Sequence, residues 1–555
     1  MSELKGSPVE LLSLDHRRIE PLIVAGLLGC FLVISFLSVR HKSPTADEDV
    51  HLAYGIHILN GNSDRLRASS ANPDDSKMPF SALNALPAKF GALLPDGYLK
   101  RFSQTTQAGR PVTILFSTLI AFFLYAWAKE LYGKTAASFT LFLFVLEPSV
   151  IAHSQLVTTD AYGMGMIMLA TYALWRFNRK RTVINLVVVG ILMGLSEVAK
   201  YSAVFLVPVF ILIQLLHDSQ AIWGWIKSRN LRSIVIYLRA WVLGGAVIVS
   251  LSLLVINAAY LFNNTFMPLG DYSFRSSLFQ TLQARLTFLR GLPLPVPYPY
   301  LQGLDLVKYR DEVWYGFARI FLLGRLSIHG FPGYYFYDIG LKAPLPLLAA
   351  IVGGLIMLFR RRPSLDHLLK NEAALIIPVV WYLIYMNYML HAQLGIRLIL
   401  VIFPFLLILA GNLARGINQF LSWRLGASVL LGSLLTISVL SYFPNFLAYF
   451  NEIVWDRRTT YRYLADSDLN WRGNIPSLKT WLADHPKAVL DPAHPVVGLI
   501  VADPNKLDGI PRNQPRDKYA WLRDNFDPVD IVANTYPVFQ VTREDLARLG
   551  FDTSP

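Results

Sequence analysis

PLIVAGLLGCFLVISFLSV, residues 21–39, runs without a single charged side chain. At about 1.5 Å of rise per residue it is long enough to cross a hydrocarbon core about 30 Å thick. The stretch LLGC at residues 27–30 has the look of a lipoprotein cleavage box, but the apolar run continues past it, so the segment reads as an uncleaved first membrane helix. Ten further apolar segments lie near residues 111–128, 136–152, 160–175, 182–199, 201–216, 234–262, 343–359, 373–390, 396–414 and 425–443. The expectation is a polytopic α-helical membrane protein of about eleven transmembrane helices. Composition agrees: 54% of the 555 residues are hydrophobic and 16% charged, and the mean hydropathy of +0.40 is far above that of a water-soluble domain.

The formal net charge of +13 raises the question of a nucleic-acid partner. The basic residues are not gathered on one face or tail, so none is expected. They fall in short loops between apolar spans: Arg176, Arg179, Lys180 and Arg181; Lys227, Arg229 and Arg232; Arg360, Arg361 and Arg362; Arg415 and Arg424. Counting spans from a cytoplasmic N-terminus (1–20) puts all four groups on the cytoplasmic side, as the positive-inside bias requires. The three long connections then lie outside: loops 41–109 and 263–342 of a transmembrane unit at 21–443, and a C-terminal unit at 444–555. The last alternates β-like runs (496–502, 538–541) with helix-like ones (475–483, 543–549), which predicts a small extracytoplasmic α/β unit. The LPLPVPYPY stretch at 292–300 predicts an extended polyproline spacer. The single cysteine, Cys30, permits no intramolecular disulfide, and the chain has no internal repeat, Walker loop, dinucleotide fingerprint or CxxC pair.

The outer segments hold the residues that can carry chemistry. TADEDVH at 45–51 follows the first span and sets Asp47, Glu48 and Asp49 beside His51. AHSQLVTTDAY at 152–162 places His153 and Asp160 at an outer mouth, Lys200 interrupts apolar sequence at an outer turn, and Arg397 enters a later span. Any one of these fits a hydrated border residue. Together, carboxylates and cations from distant loops converge on one membrane face, and a cation near hydrocarbon is costly without an anionic partner. Such a cleft suits transfer of a group from a phosphate to a hydroxyl: a carboxylate takes the acceptor proton, while cations, or a divalent metal ion held by Asp47 and Asp160, neutralise the departing phosphate. A donor anchored in the membrane suits an outward-facing site better than a cytosolic nucleotide sugar. A lipid transporter or flippase would also need intramembrane charge, but repeated halves with broken helices are not visible. A glycan ligase or polymerase would differ in donor size.

Seven stretches, in this order, resemble the bacterial branch of glycosyltransferase family 39, the group related to protein O-mannosyltransferases and to the lipid A aminoarabinose transferase. They are DEDVH (47–51), KMPFSALNALP (77–87), AHSQLVTTDA (152–161), AKYSA (199–203), YYFYDIGLKAPLP (334–346), GIRLILVIFPFL (395–406) and YFNEIVWD (449–456). The resemblance implies a C-type glycosyltransferase fold, a polyprenyl-phosphate sugar donor, a protein or glycolipid acceptor, and a bacterial inner membrane with the active site facing the periplasm. It also implies that Asp47, Glu48 and Asp160 are catalytic and that Lys200 and Arg397 contact the donor phosphate. His51, His153 and Lys342, within the matched stretches, join them as candidate substrate-binding residues. One element departs from the family: relatives carry a DSNxDWGQD-like segment where this chain reads DSDLNWRGN at 466–474, and Asn470 cannot act as a base.

Overall fold

A computed structural model describes residues 8–66, 77–313, 319–416 and 423–551, residues 8–18 by their backbone alone; the start of the predicted N-terminal segment lies outside them. The chain is a multi-pass α-helical membrane protein. Each of the eleven apolar segments is helical, but they are not equivalent. Among the described residues, six helices have the length and apolarity to cross a membrane: Ile19–Val39, Thr106–Tyr132, Tyr201–Lys227, Leu231–Ala259, Ile396–Ala414 and Trp423–Leu440. A seventh span is the pair Tyr334–Lys342 and Leu345–Arg360, bent by 110°. Ala343-Pro344 causes the bend: the residue before a proline is pushed to extended geometry, and Ala343 takes φ −81°, ψ 131°.

The remaining four predicted spans are shorter or more polar. Lys134–Val145 has 12 residues, Val183–Ala199 has 17 and Ala373–Tyr388 has 16, while Asp160–Arg179 has 20 with polar ends. The segment predicted at 136–152 divides because Glu147 precedes Pro148; Glu147 leaves the helix at φ −83°, ψ 114° and its carboxylate accepts from the Val150 N–H, capping a second short helix, Pro148–His153.

Burial decides which helices are central. Ile396–Ala414 is 83% buried over its apolar window, whereas Leu231–Ala259 and Trp423–Leu440 are 17% buried and so present most of their surface to lipid. Small residues bring the helices together, as expected where lipid supplies little hydrophobic drive for association. Gly354 lies so close to the following core helix that a Cβ there would sit 2.2 Å from the Leu409 carbonyl oxygen. Ser252 donates to the Gly190 carbonyl at 2.9 Å, joining Leu231–Ala259 to Val183–Ala199.

The long connections carry their own structure. The first forms helix Glu48–Leu59 and three shorter ones, Ser81–Asn84, Leu86–Gly91 and Tyr98–Ser103. In the second, the predicted polyproline run is extended only at its start: residues from Tyr298 enter the helix Tyr298–Val313, with Pro299 near its N-terminus, where a missing N–H costs no hydrogen bond. Beyond residue 444 the chain passes through short turns to a four-stranded sheet, ordered Val489–Leu490, Gly498–Val501, Tyr536–Val541, Asp530–Val532. The first pair is parallel and the others antiparallel. Helices Ile475–Asp484 and Arg543–Arg548 belong to the same segment, the latter fixed by a capping box of Thr542 and Asp545.

Candidate active site

Four segments distant in sequence place their charged residues side by side. Asp47 immediately precedes the helix Glu48–Leu59. Asp160 opens the helix Asp160–Arg179, and Lys200 follows Val183–Ala199 in an extended conformation, φ −159°, ψ 136°. Gly163 makes that approach possible: a Cβ there would lie 2.7 Å from Lys200 Cβ and Cδ, so the lysine stem crosses the bare glycine one turn into the Asp160 helix. Lys200 Nζ thereby donates to Asp160 Oδ1 at 2.7 Å.

Arg397 enters from the central helix, whose start is built by Asp468. Gly395 has φ +75°, and a Cβ there would meet the Asp468 carboxylate at 2.5 Å; Asp468 Oδ1 accepts from the Ile396 N–H at 2.9 Å. Arg397 Nη1 then donates to Asp47 Oδ2 at 3.0 Å, and its guanidinium lies 4.4 Å from the centre of the Trp471 ring. Lys200 Nζ also donates to the Arg397 carbonyl at 3.2 Å, so the two ion pairs are joined. Asp47 is the most accessible of the four, at 31% against 14% for Arg397, 12% for Lys200 and 5% for Asp160.

Electrostatics separates the roles of the surrounding groups. Burial alone would raise the Asp47 carboxyl, but Arg397, Lys77 and His51 outweigh it and hold it down at about 2. Burial, helped by Lys77, lowers His51 to about 3, and burial lowers His153 to about 4, so both rings are neutral at neutral pH. His51 Nδ1 lies 3.3 Å from Ser81 Oγ, and His153 packs 6.1 Å from Trp471. Asp466 is pushed up to about 6, by burial first, with Asp468 and Asp47 adding and Arg397 opposing. Its φ of +55° is tolerable for aspartate, and its N–H donates to Asn505 Oδ1 at 2.8 Å.

Two predicted site residues face inward. Glu48 is fully buried and receives Arg110 Nε at 2.8 Å and the Val157 N–H at 3.0 Å on Oε1, and Arg110 Nη2 and the Thr45 N–H, both at 2.7 Å, on Oε2. Its acceptor sites are filled. Lys342 Nζ donates to the Leu447 carbonyl at 2.8 Å and the Asp468 carbonyl at 2.5 Å and lies over Phe450, so it fastens the Asp468 segment from behind. The divergent Asn470 is a connector: its Nδ2 donates to Asp503 Oδ1 at 3.0 Å, and its Oδ1 accepts from Tyr536 OH at 3.3 Å. Asn470 puts a catalytic role for that element in doubt, yet Asp468 holds the Ile396 N–H, Trp471 lies under Arg397, and Asp466 feels the Arg397 charge. The DSD triplet and the tryptophan in the same quoted stretch were the available signal.

The donor set does not suit a divalent metal. Asp47 and Asp160 are each bound to a cation rather than to one another. Among the described residues, no group of three or more His, Cys, Asp or Glu side chains is arranged to hold an ion.

Asp160 and Lys200 lie inside a stretch with recognisable relatives. Residues 91–253 match the family model for dolichyl-phosphate-mannose-protein mannosyltransferases. The family resemblance read from the sequence is borne out by this match, which leaves Asp47 and Arg397 outside its bounds. No curated protein matches the chain. Two solved structures align with it, the ArnT of Cupriavidus metallidurans bound to undecaprenyl phosphate and the same protein in the apo state; each is 14% identical, covers 93% of this chain and 97% of its own, and has a TM-score of 0.31.

Proposed function

We propose that the chain is an inverting membrane glycosyltransferase of the C-type fold that moves one sugar from a polyprenyl phosphate to an acceptor hydroxyl on a protein or glycolipid. The reading places it in a bacterial inner membrane, with 21–443 as the transferase unit, loops 41–109 and 263–342 outside, and 444–555 as a periplasmic α/β unit. The observation that carries it is the Asp47–Arg397 pair, 3.0 Å apart, linked through the Arg397 carbonyl to the Lys200–Asp160 pair. The mannosyltransferase family match supports the same class.

In the resting arrangement Arg397 holds Asp47 at about 2, too weakly basic to take a proton from a hydroxyl. A donor phosphate that engages Arg397 draws the guanidinium away from Asp47 and raises the basicity of the carboxylate. The acceptor oxygen then forms its bond to the anomeric carbon, and the bond from that carbon to the phosphate oxygen breaks. The electron pair leaves with the phosphate, and the acceptor proton passes to Asp47. Arg397 and Lys200 meet the charge that grows on the phosphate, which is where fixed cations lower a barrier most. Asp160 positions Lys200, while Glu48 positions the Asp47 turn through Arg110. Trp471, under the guanidinium, keeps the arginine in place when it changes partners.

The deciding experiment is transfer by the purified full chain in detergent, with a polyprenyl-phosphate sugar and a membrane extract as acceptor. Donor-dependent release of polyprenyl phosphate with sugar on the acceptor is expected. Movement of intact donor across the bilayer of proteoliposomes made from the same preparation, without cleavage, would establish a flippase instead.

A further inference from the structure

Against Trp471 lies a cavity of about 40 Å³ whose lining does not include Asp47, Asp160, Lys200 or Arg397. Lys42, Thr45, Arg110, Gln155, Asn445 and Asn474 are its polar walls, and Val39, Leu156 and Phe446 are among its apolar ones. A space of this size has room for a few waters or one small polar group.

Its charge is unbalanced. Lys42 Nζ is in contact with Asn445 Oδ1 and Asn474 Oδ1, and no carboxylate pairs with it among the described residues. The Asn474 amide is oriented by its other end, where Nδ2 donates to Thr535 Oγ1 at 2.8 Å, so a neutral oxygen rather than an anion faces the lysine by construction. The neighbouring Arg110 is already matched by Glu48, at 2.7 Å. Burial, with Arg110 adding, draws Lys42 down to about 8, yet it remains a cation at neutral pH.

Two more donors wait at the same place. Gln155, 5% exposed, has no partner for Nε2, and Thr45, 4% exposed, none for Oγ1. A buried amide and hydroxyl left unsatisfied are costly unless something else fills them. An ammonium with one N–H to spare, an amide NH₂ and a hydroxyl, all lining one small cavity, are donors that a tetrahedral oxyanion can satisfy together.

The position names the source. Lys42 follows the end of the first span, Ile19–Val39, by three residues, and the apolar walls are those of a membrane border. We propose that this cavity is an oxyanion subsite that seats a phosphate monoester carried on a lipid, with Lys42, Gln155 and Thr45 as its donors. Trp471 is the wall common to the cavity and to the Arg397 site, so a lipid held here by its phosphate extends toward Asp47. That the lipid is the acceptor rests on the transferase reading; that it binds does not.

The test reads binding without turnover. The full chain, in nanodiscs of phosphatidylcholine and with no sugar donor, is acetylated with acetic anhydride at pH 7.5, and the Lys42 peptide is quantified by mass spectrometry. Phosphatidic acid added to the nanodiscs is expected to slow Lys42 acetylation about tenfold. Inorganic phosphate is the second arm: protection by it as well keeps the oxyanion subsite, and protection by phosphatidic acid alone assigns the phosphate to a lipid. Protection by neither overturns the proposal. Gln155→Leu, which leaves the lysine in place, should weaken the protection about tenfold, the loss of one hydrogen bond to a charged group. Undiminished protection in that variant would also overturn it. Asp47→Asn should protect as the unaltered chain does, so a failure of the transferase reading leaves this result intact.

Discussion

Arg397 Nη1 lies 3.0 Å from Asp47 Oδ2 across an interval of 350 residues, and the same arginine offers its carbonyl to Lys200. The consequence is that no member of the array acts alone: a ligand that takes Arg397 from Asp47 changes the carboxylate it leaves. Asp47→Asn keeps the side-chain size and removes the basicity, so transfer should fall about 10²-fold or more while donor affinity is kept or improved, because Arg397 is released. Turnover and donor binding measured on the same preparation check this, and unaltered turnover would remove Asp47 from the chemistry.

Glu48→Gln should behave differently. Arg110 is 1% exposed and would lose its counter-charge, which costs about 3–5 kcal/mol when one partner of a buried pair is removed. Loss of thermal stability, restored in part by Arg110→Met in the same chain, is the expected outcome. A variant as stable as the unaltered chain but without transfer activity would return Glu48 to the catalytic group.

The same reasoning applies to Lys200 and Asp160, with one addition. Lys200→Met leaves Asp160 buried and unpaired, and Asp160→Asn leaves Lys200 so; each single change should lower stability by about 3–5 kcal/mol. The double variant should recover most of the stability and none of the activity if Lys200 also serves the donor phosphate. Recovery of both would confine the pair to architecture.

Arg397→Lys should retain part of the activity and Arg397→Gln much less. Lysine supplies a point charge where arginine supplies a planar fork that can bond Asp47 or a phosphate while lying over Trp471. Donor affinity and turnover, measured separately, should both fall in the order arginine, lysine, glutamine.

The membrane character of the chain was legible from apolar run length alone, since a buried backbone in lipid leaves helices as the simplest solution. The division at Glu147 was written in the proline that follows it. Less legible was the difference between a helix that spans and one that is short but enclosed, because burial by neighbouring helices, as for Val183–Ala199, relieves the requirement for length. At the site, Asp47, Asp160, Lys200 and Arg397 stood out because charge at a hydrocarbon border is rare. Lys77 and Trp471 did not: a lysine and a tryptophan in polar loops look ordinary until the fold sets them against Asp47 and Arg397. Glu48 and Asp47 are adjacent and chemically alike in sequence; only Arg110, 62 residues away, distinguishes them.

Topology offers an independent check. By the positive-inside bias, the loops that carry the basic groups at 176–181 and 360–362 are expected in the cytoplasm. Reporter fusions near Lys180 should read inside, and fusions after Trp455 outside. Asp47 and Asp468 both contact the Ile396–Arg397 turn, so residues 48 and 455 must report the same face; opposite faces would break the site apart.

The pH dependence of stability tests Asp466 and Asp47 with opposite signs. Asp466 is raised to about 6 from an ordinary 3.8, so the folded chain binds its proton more tightly than the unfolded chain does. Between those values the native state holds more protons, and stability falls as pH rises through the window. Asp47 is lowered to about 2, so the stability it contributes is present above 3.8 and is lost only as pH falls toward 2. In the accessible range from about pH 4 to pH 7, Asp47 adds no slope, Asp466 lowers stability as pH rises, and His51 and His153, held below their ordinary 6.5, raise it, so the Asp466 contribution is read as a difference between two chains. Asp466→Asn removes the titrating group and keeps the shape, so its melting temperature relative to the unaltered chain should rise between pH 4 and pH 6 and level off above. Thermal unfolding in detergent across that series checks the sign. A difference that stays flat, or that falls with pH, would mean Asp466 is not held in the protonated form by its surroundings.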